Sequence, residues 1–134
     1  MTAYPHEPAP GQGTGQGEPL SDDTQRSIGV VVHAVPAAAL VLSAGTLGFV
    51  ASLVIYLVYK DRGEYARRQA ANSLNVQITT GILLLLSVPL MLVLIGFVTY
   101  GIVIVWAVVL HVVGAVRASN GEWWNPPLTP RFVR

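Results

Sequence analysis

From Gln69 to Val116 the chain runs 48 residues without a Lys, Arg, Asp or Glu. As one helix that stretch would be about 72 Å long, against roughly 30 Å of bilayer hydrocarbon. Such a length suits two crossings joined by a tight turn. A second uncharged stretch, Ser27 to Tyr59, adds 33 residues. All 15 charged side chains, 8 basic and 7 acidic, fall outside these two stretches. A water-soluble fold of 134 residues has too little interior to hide both. The sequence therefore predicts an all-α integral membrane protein. Its architecture is a compact bundle of about four hydrophobic helices, arranged as two helical hairpins behind a disordered N-terminal tail.

Composition excludes several classes of function. The net charge of +1 leaves no basic footprint for nucleic acid. There is no cysteine, which removes disulfides, thiolate metal sites and thiol nucleophiles. No basic region precedes an apolar core at the start, so no cleaved signal peptide is expected, and the first apolar segment is expected to act as its own insertion signal.

Residues 1–20 alternate Pro5, Pro8, Pro10 and Pro19 with Gly11, Gly13, Gly15 and Gly17. So few apolar residues cannot offset the entropy of ordering, and a disordered tail is expected. Residues 21–134 form the helical membrane domain, with helices expected at about 22–43, 47–60, 64–94 and 97–119. Ser21, Asp22 and Asp23 supply cap and charge for the first of these. Ser27–Tyr59 admits two readings. A hairpin broken in the small-residue run Ser43-Ala44-Gly45-Thr46-Leu47-Gly48 is favoured; a single long, tilted span kinked at Pro36 is the alternative. The second arm of the hairpin is short for a crossing, and its turn requires cover from neighbouring helices. The turn between the last two helices is expected at Gly96, Thr99, Tyr100 and Gly101, and Pro89 is placed to kink the helix before it. Loop 60–68 carries Lys60, Arg62, Arg67 and Arg68 against Asp61 and Glu64. By the positive-inside rule the loop and the C-terminus, with Arg117, Arg131 and Arg134, are cytoplasmic, as is the N-terminus. Asn120-Gly121 is a helix stop with a left-handed glycine. Trp123 and Trp124 follow as interface anchors.

Polar residues inside apolar helices mark the places where chemistry or packing is concentrated. Asn72, Asn75 and Thr79 recur at i, i+3, i+7 and share one face with Arg68 one turn earlier; Gln77 lies off that face. They are candidate interhelical hydrogen-bonding groups, as are His33 and His111, the histidines inside apolar segments. The sharper reading of the asparagine face is a polar stripe lining a path. Two histidines without a nearby intramembrane Asp, Glu or Cys are a poor metal or haem site, so no metal and no cofactor are expected. No nucleophile elbow, phosphate loop or intramembrane carboxylate is present for catalysis. The spacings Ala44-x-x-x-Gly48, Gly48-x-x-x-Ser52 and Gly114-x-x-x-Ala118 favour close approach of helix backbones.

Three stretches carry a family resemblance. They are the region of His33 in the first helix, residues 60–77 with Asn75-x-Gln77, and residues 115–126 with Asn120-Gly121-Glu122-Trp123-Trp124. Together they resemble the Tic-twenty-like family: the twenty-kilodalton subunit of the chloroplast inner-envelope translocon and small bacterial membrane proteins. The likeness extends over residues 22–134, with departures at Val76, Trp123-Trp124 and Pro126-Pro127. It implies a bundle of about four helices with both termini on one side.

The functional expectation is a non-enzymatic, multi-pass protein of the inner (plasma) membrane. Its specific form is a translocon-like or membrane-protein-handling component; the alternative is an accessory or assembly subunit of a larger complex, such as a respiratory or secretion assembly. The expected partners are the lipid bilayer and other membrane proteins, with homo-oligomers as a further form.

Overall fold

The computed structural model describes residues 20–134, so the expected tail, apart from Leu20, lies outside the described residues. Helix α1 spans Asp22–Leu42. Ser21 caps it by accepting the Thr24 amide at 3.4 Å, and Asp22 and Asp23 complement the positive end of the helix dipole. The helix closes in a Schellman motif. Ala44 takes a φ of +50°, Gly45 N–H donates to the Leu40 carbonyl at 2.8 Å, and Ala44 N–H donates to Val41 at 3.4 Å. The chain then reverses into α2, Leu47–Tyr59. Segment 27–59 is thus a hairpin and not one tilted span. At 13 residues α2 is about 20 Å long, short of the roughly 30 Å hydrocarbon core.

Helix α3 spans Glu64–Leu90, continues as a 3-10 turn over Met91–Val93, and hands over at Leu94 (φ +65°) to α4, Ile95–Ser119. This turn comes earlier than Gly96–Gly101, where the sequence placed it. Pro89 has no amide to continue the ladder, and α3 stops one residue later. Gly96 instead lies inside α4 against the end of α3, where a Cβ would collide with the Met91 nitrogen and the Ser87 carbonyl. Three helical segments, Asp22–Leu42, Glu64–Val93 and Ile95–Ser119, are long and apolar enough to cross a membrane.

α1 and α3 each touch all three other helices, whereas α2 and α4 lie on opposite flanks and do not meet. The turn of the first hairpin is covered by the second. Gly45 sits against Leu84 and Ile104, and the Tyr100 hydroxyl donates to the Ala44 carbonyl. That contact gives a carbonyl of the turn, outside any helical ladder, a partner from the second hairpin.

The bundle is built inside out relative to a soluble protein. Its buried side chains include His33, Ser52, Gln69, Ser73, Asn75, Gln77, Thr80 and His111. Its exposed ones include Val54, Leu85, Leu86, Val98, Ile102, Val105 and Val112. Lipid is as apolar as leucine, so burial of hydrocarbon gives no drive here; packing and hydrogen bonds between helices hold the bundle together. Apolar clusters sit on either side of the polar centre. Ile28, Val32, Ala66 and Ala70 form one, and Leu40, Val76, Ala107 and Leu110 the other.

Up-and-down topology gathers every charged side chain of the described residues at one end. This end holds the start of α1, the link 60–63, the start of α3, the end of α4 and the C-terminal segment. The opposite turns, 43–46 and 91–94, carry no charge. At the charged end α4 terminates in a second Schellman motif: Gly121 takes φ +72° and Glu122 N–H donates to the Arg117 carbonyl at 2.9 Å.

Candidate functional site

The polar centre is a chain of four side chains from three helices. His33 stands on α1, Gln69 and Gln77 on α3, and His111 on α4, and none is more than 1% exposed. His33 Nδ1 faces His111 Nδ1 at 3.3 Å, His33 Nε2 faces Gln69 Oε1 at 3.3 Å, and Gln77 Nε2 faces His111 Nε2 at 2.8 Å. Gln69 Nε2 donates onward to the Glu122 carbonyl at 3.2 Å.

These partners fix the tautomers. Gln69 uses its amide hydrogen on Glu122, so its oxygen accepts from His33 Nε2–H. A neutral His33 then offers Nδ1 as acceptor, and His111 Nδ1–H donates to it. His111 Nε2 is left as the acceptor for the Gln77 amide. Each imidazole gives one hydrogen bond and takes one, and every bond runs in the same direction from Gln77 to Glu122. Gln77 Oε1 and Thr80 Oγ1 are the buried side-chain oxygens that find no partner among the described residues.

A second polar link sits beside the first. Pro36 lies inside α1 and has no amide to give the Val32 carbonyl. The Ser73 hydroxyl of α3 donates to that carbonyl at 2.5 Å. Its hydrogen is thereby committed, so Ser52 of α2 donates to Ser73 Oγ at 3.1 Å. One serine thus ties three helices at the point where proline opens the ladder.

Glycines make room for this layer. A Cβ on Gly48 would come within 2.6 Å of the Gln77 amide, and one on Gly114 within 2.6 Å of the His33 ring. The small residues at Gly48 and Gly114 therefore make room for polar side chains of neighbouring helices. Gly29 follows the simpler rule: a Cβ there would meet Ala118 Cβ at 2.8 Å, which marks close approach of α1 and α4.

The structure brings His33 and His111 together but sends the asparagine face elsewhere. Asn75 pairs with the backbone of Val133, donating to its carbonyl at 2.9 Å and accepting its amide at 2.8 Å. Asn72 donates to the Trp124 carbonyl. Thr79 bonds back to the Asn75 carbonyl in its own helix at 2.9 Å. None of these three hydrogen-bonds to another helix; two of them hold the C-terminal segment, whose irregular backbone offers free groups. Trp123 is half exposed, with Tyr65 edge-on at 5.2 Å and the Arg68 guanidinium 5.0 Å from its ring. Trp124 turns inward, 5.8 Å from the His33 ring.

Gln69, Ser73, Gln77 and Ser52 are not among the hydrogen-bonding candidates read from sequence: Gln77 enters there only as lying off the asparagine face and in the Asn75-x-Gln77 run, and Ser52 only as a small residue. The signal was present: Gln69, Ser73 and Gln77 recur at i, i+4, i+8, one face of a helix. Among the described residues no group of three or more His, Cys, Asp or Glu side chains comes together. The two imidazoles alone fall short of the four-ligand set of a structural zinc site.

Fold and polar layer together define a helical membrane protein of two hairpins, closed around an uncharged hydrogen-bonded centre. Residues 24–133 match the model of the MamF/MmsF family, the magnetosome magnetite crystal formation protein family, and the chain belongs to that family. Neither the curated proteins nor the solved structures contain a match to the chain. The resemblance to the Tic-twenty-like family is corrected by this match. Of the residues that suggested it, Asn120-Gly121 ends α4, Trp123 is half exposed while Trp124 turns toward His33, and His33, Asn75 and Gln77 are buried.

Proposed function

We propose that this chain is a non-enzymatic component of the membrane that encloses a growing magnetite crystal, and that it acts on the crystal indirectly, through other membrane components. The family match supplies the process. The observation that carries the indirect role is the segregation of charge. Every acidic side chain of the described residues lies at the same end as the basic ones, and the positive-inside rule turns that end toward the cytoplasm. The end turned toward the mineral then consists of turns 43–46 and 91–94, which carry no carboxylate to bind iron or a crystal face. An accessory or assembly role fits this distribution better than templating.

The test has two arms. Single cysteines at Asp61 and Leu92 are labelled with a membrane-impermeant maleimide on intact magnetosomes isolated from the cell. The cysteine at 61 is expected to react and that at 92 to remain protected; the reverse pattern overturns the reading. In a magnetite-forming bacterium lacking its own member of the family, the wild-type chain and an E64Q/E122Q variant are expected to restore crystal size equally. Failure of the wild-type chain to alter crystal size would remove the assignment to crystal formation, and failure of the variant alone would remove the indirect role.

A further inference from the structure

The sequence holds two pairs of arginines far apart in the chain, Arg67-Arg68 and Arg131 with Arg134. Two arginines are too few for a defined anion site, but the fold adds the pairs together. Arg67, Arg68, Arg131 and Arg134 line one cavity of about 180 Å³ at the charged end, with Glu64 the one acidic side chain among its lining residues. Arg68 donates to Asn125 at 3.2 Å and stacks on Trp123. The side chains of Arg67, Arg131 and Arg134 make no ion pair or hydrogen bond among the described residues.

Like charges repel, and this arrangement is held against that repulsion by groups that are not charged. The Asn75 amide grips both backbone groups of Val133, between Arg131 and Arg134. Asn72 holds the Trp124 carbonyl, and the Tyr56 hydroxyl donates to the main-chain oxygen of Arg134 at 3.1 Å. Buried amides of α3 thus hold the segment that carries Arg131 and Arg134 beside the start of α3, which carries Arg67 and Arg68. Four arginines lining one cavity suit the oxygens of a phosphate, which guanidinium groups bind through paired N–H donors. The cavity is smaller than the roughly 300–1,000 Å³ of sites for drug-sized ligands, which favours a headgroup-sized anion over a nucleotide. It lies at the charged end of the bundle, the end suited to the headgroup region, and basic pockets between membrane helices are suited to anionic headgroups.

We propose that the cavity between the start of α3 and the C-terminal segment is a binding site for a phosphate-bearing anion, supplied either by an anionic lipid headgroup or by free phosphate. The full chain, purified in mild detergent, is titrated with phosphatidylglycerol, with phosphatidylcholine and with sodium phosphate. Thermal unfolding and native mass spectrometry read the binding. Phosphatidylglycerol is expected to raise the melting temperature and to remain bound where phosphatidylcholine does not, and added salt should weaken the effect. An R67Q/R131Q variant is expected to bind about tenfold more weakly or worse, because each arginine contributes charge-assisted bonds. R62Q, outside the cavity, should bind as wild type. Protection by sodium phosphate that R67Q/R131Q abolishes would identify free phosphate as the source. Equal protection by both lipids with none from phosphate, or full binding by R67Q/R131Q, overturns the proposal. If the unliganded R67Q/R131Q protein melts early, R131K decides instead. It keeps the charge but loses the fork, so a several-fold loss supports the site and unchanged binding overturns it.

Discussion

The Ser73 hydroxyl on α3 supplies the hydrogen bond that Pro36 denies to the Val32 carbonyl on α1. Proline in a membrane helix is tolerated where a neighbour re-satisfies the freed carbonyl. Ser73 does this and accepts from Ser52 as well, so α1, α2 and α3 share one hydroxyl. Replacing Ser73 by alanine strands the Val32 carbonyl and leaves Ser52 without its partner. The expected loss is about 1–3 kcal/mol, read by thermal or denaturant unfolding in detergent. Pro36→Ala restores an amide to the Val32 carbonyl. In that background Ser73→Ala should cost about 1 kcal/mol less, a coupling that a double-mutant cycle measures. Strict additivity would show that the two residues do not share the carbonyl.

Glycine substitutions separate crowded from open positions. Gly114 lies under the His33 ring and Gly48 under the Gln77 amide, so Gly114→Ala and Gly48→Ala must displace a buried, hydrogen-bonded side chain. Each should destabilise by about 1–3 kcal/mol. Gly81 and Gly101 are helical, and beyond the adjoining residues and backbone of its own helix a Cβ at either meets nothing within 4 Å. Gly81→Ala and Gly101→Ala should each stabilise by about 0.5–1 kcal/mol, through the lower entropy of the unfolded chain. A common sign for all four in the same unfolding assay would contradict the packing described.

The hairpins were legible in the sequence because they follow from arithmetic: uncharged length set against bilayer thickness. The break in the first hairpin was legible from its small residues. The second break was misplaced because glycine was weighed above proline; Pro89 ends α3, whereas Gly96 serves close packing. Within the site, His33 and His111 stood out as rare residues in apolar helices. Gln69 and Ser73 did not, because one sits at the edge of the charged loop and the other in a polar run whose faces a list of residues does not separate. The Asn72–Asn75 face was legible as a stripe but not its occupant. Irregular backbone near the C-terminus has no periodicity to announce that it returns to α3.

The histidine pair predicts non-additive loss. His33→Leu leaves the His111 Nδ1–H and the Gln69 oxygen without their partner, and His111→Leu leaves the His33 acceptor and the Gln77 amide unpaired. Each single change carries the cost of burying a widowed polar group, about 1–3 kcal/mol. In the double variant the mutual bond is absent from both sides at once. Its cost should fall short of the sum by about 0.5–3 kcal/mol. The measurement is the same unfolding cycle, and a sum reached or exceeded would mean that the rings do not bond.

Asn75 gives a local prediction and not a global one. Its side chain holds only the Val133 backbone, at 2.9 and 2.8 Å, while the helices are joined elsewhere by the Ser73 and histidine links. Asn75→Leu keeps the volume but removes both bonds. The last residues should then detach by local opening without unfolding the bundle. With about 1–3 kcal/mol removed, exchange of the Val133 amide should accelerate by roughly ten- to a hundredfold. Trypsin should cleave after Arg131 faster in the same variant, because the segment must leave α3 to enter a protease. The exchange of amides in the middle of α1 and α4 should stay at the wild-type rate. Acceleration there, in step with Val133, would show that the C-terminal segment and the helices open as one unit.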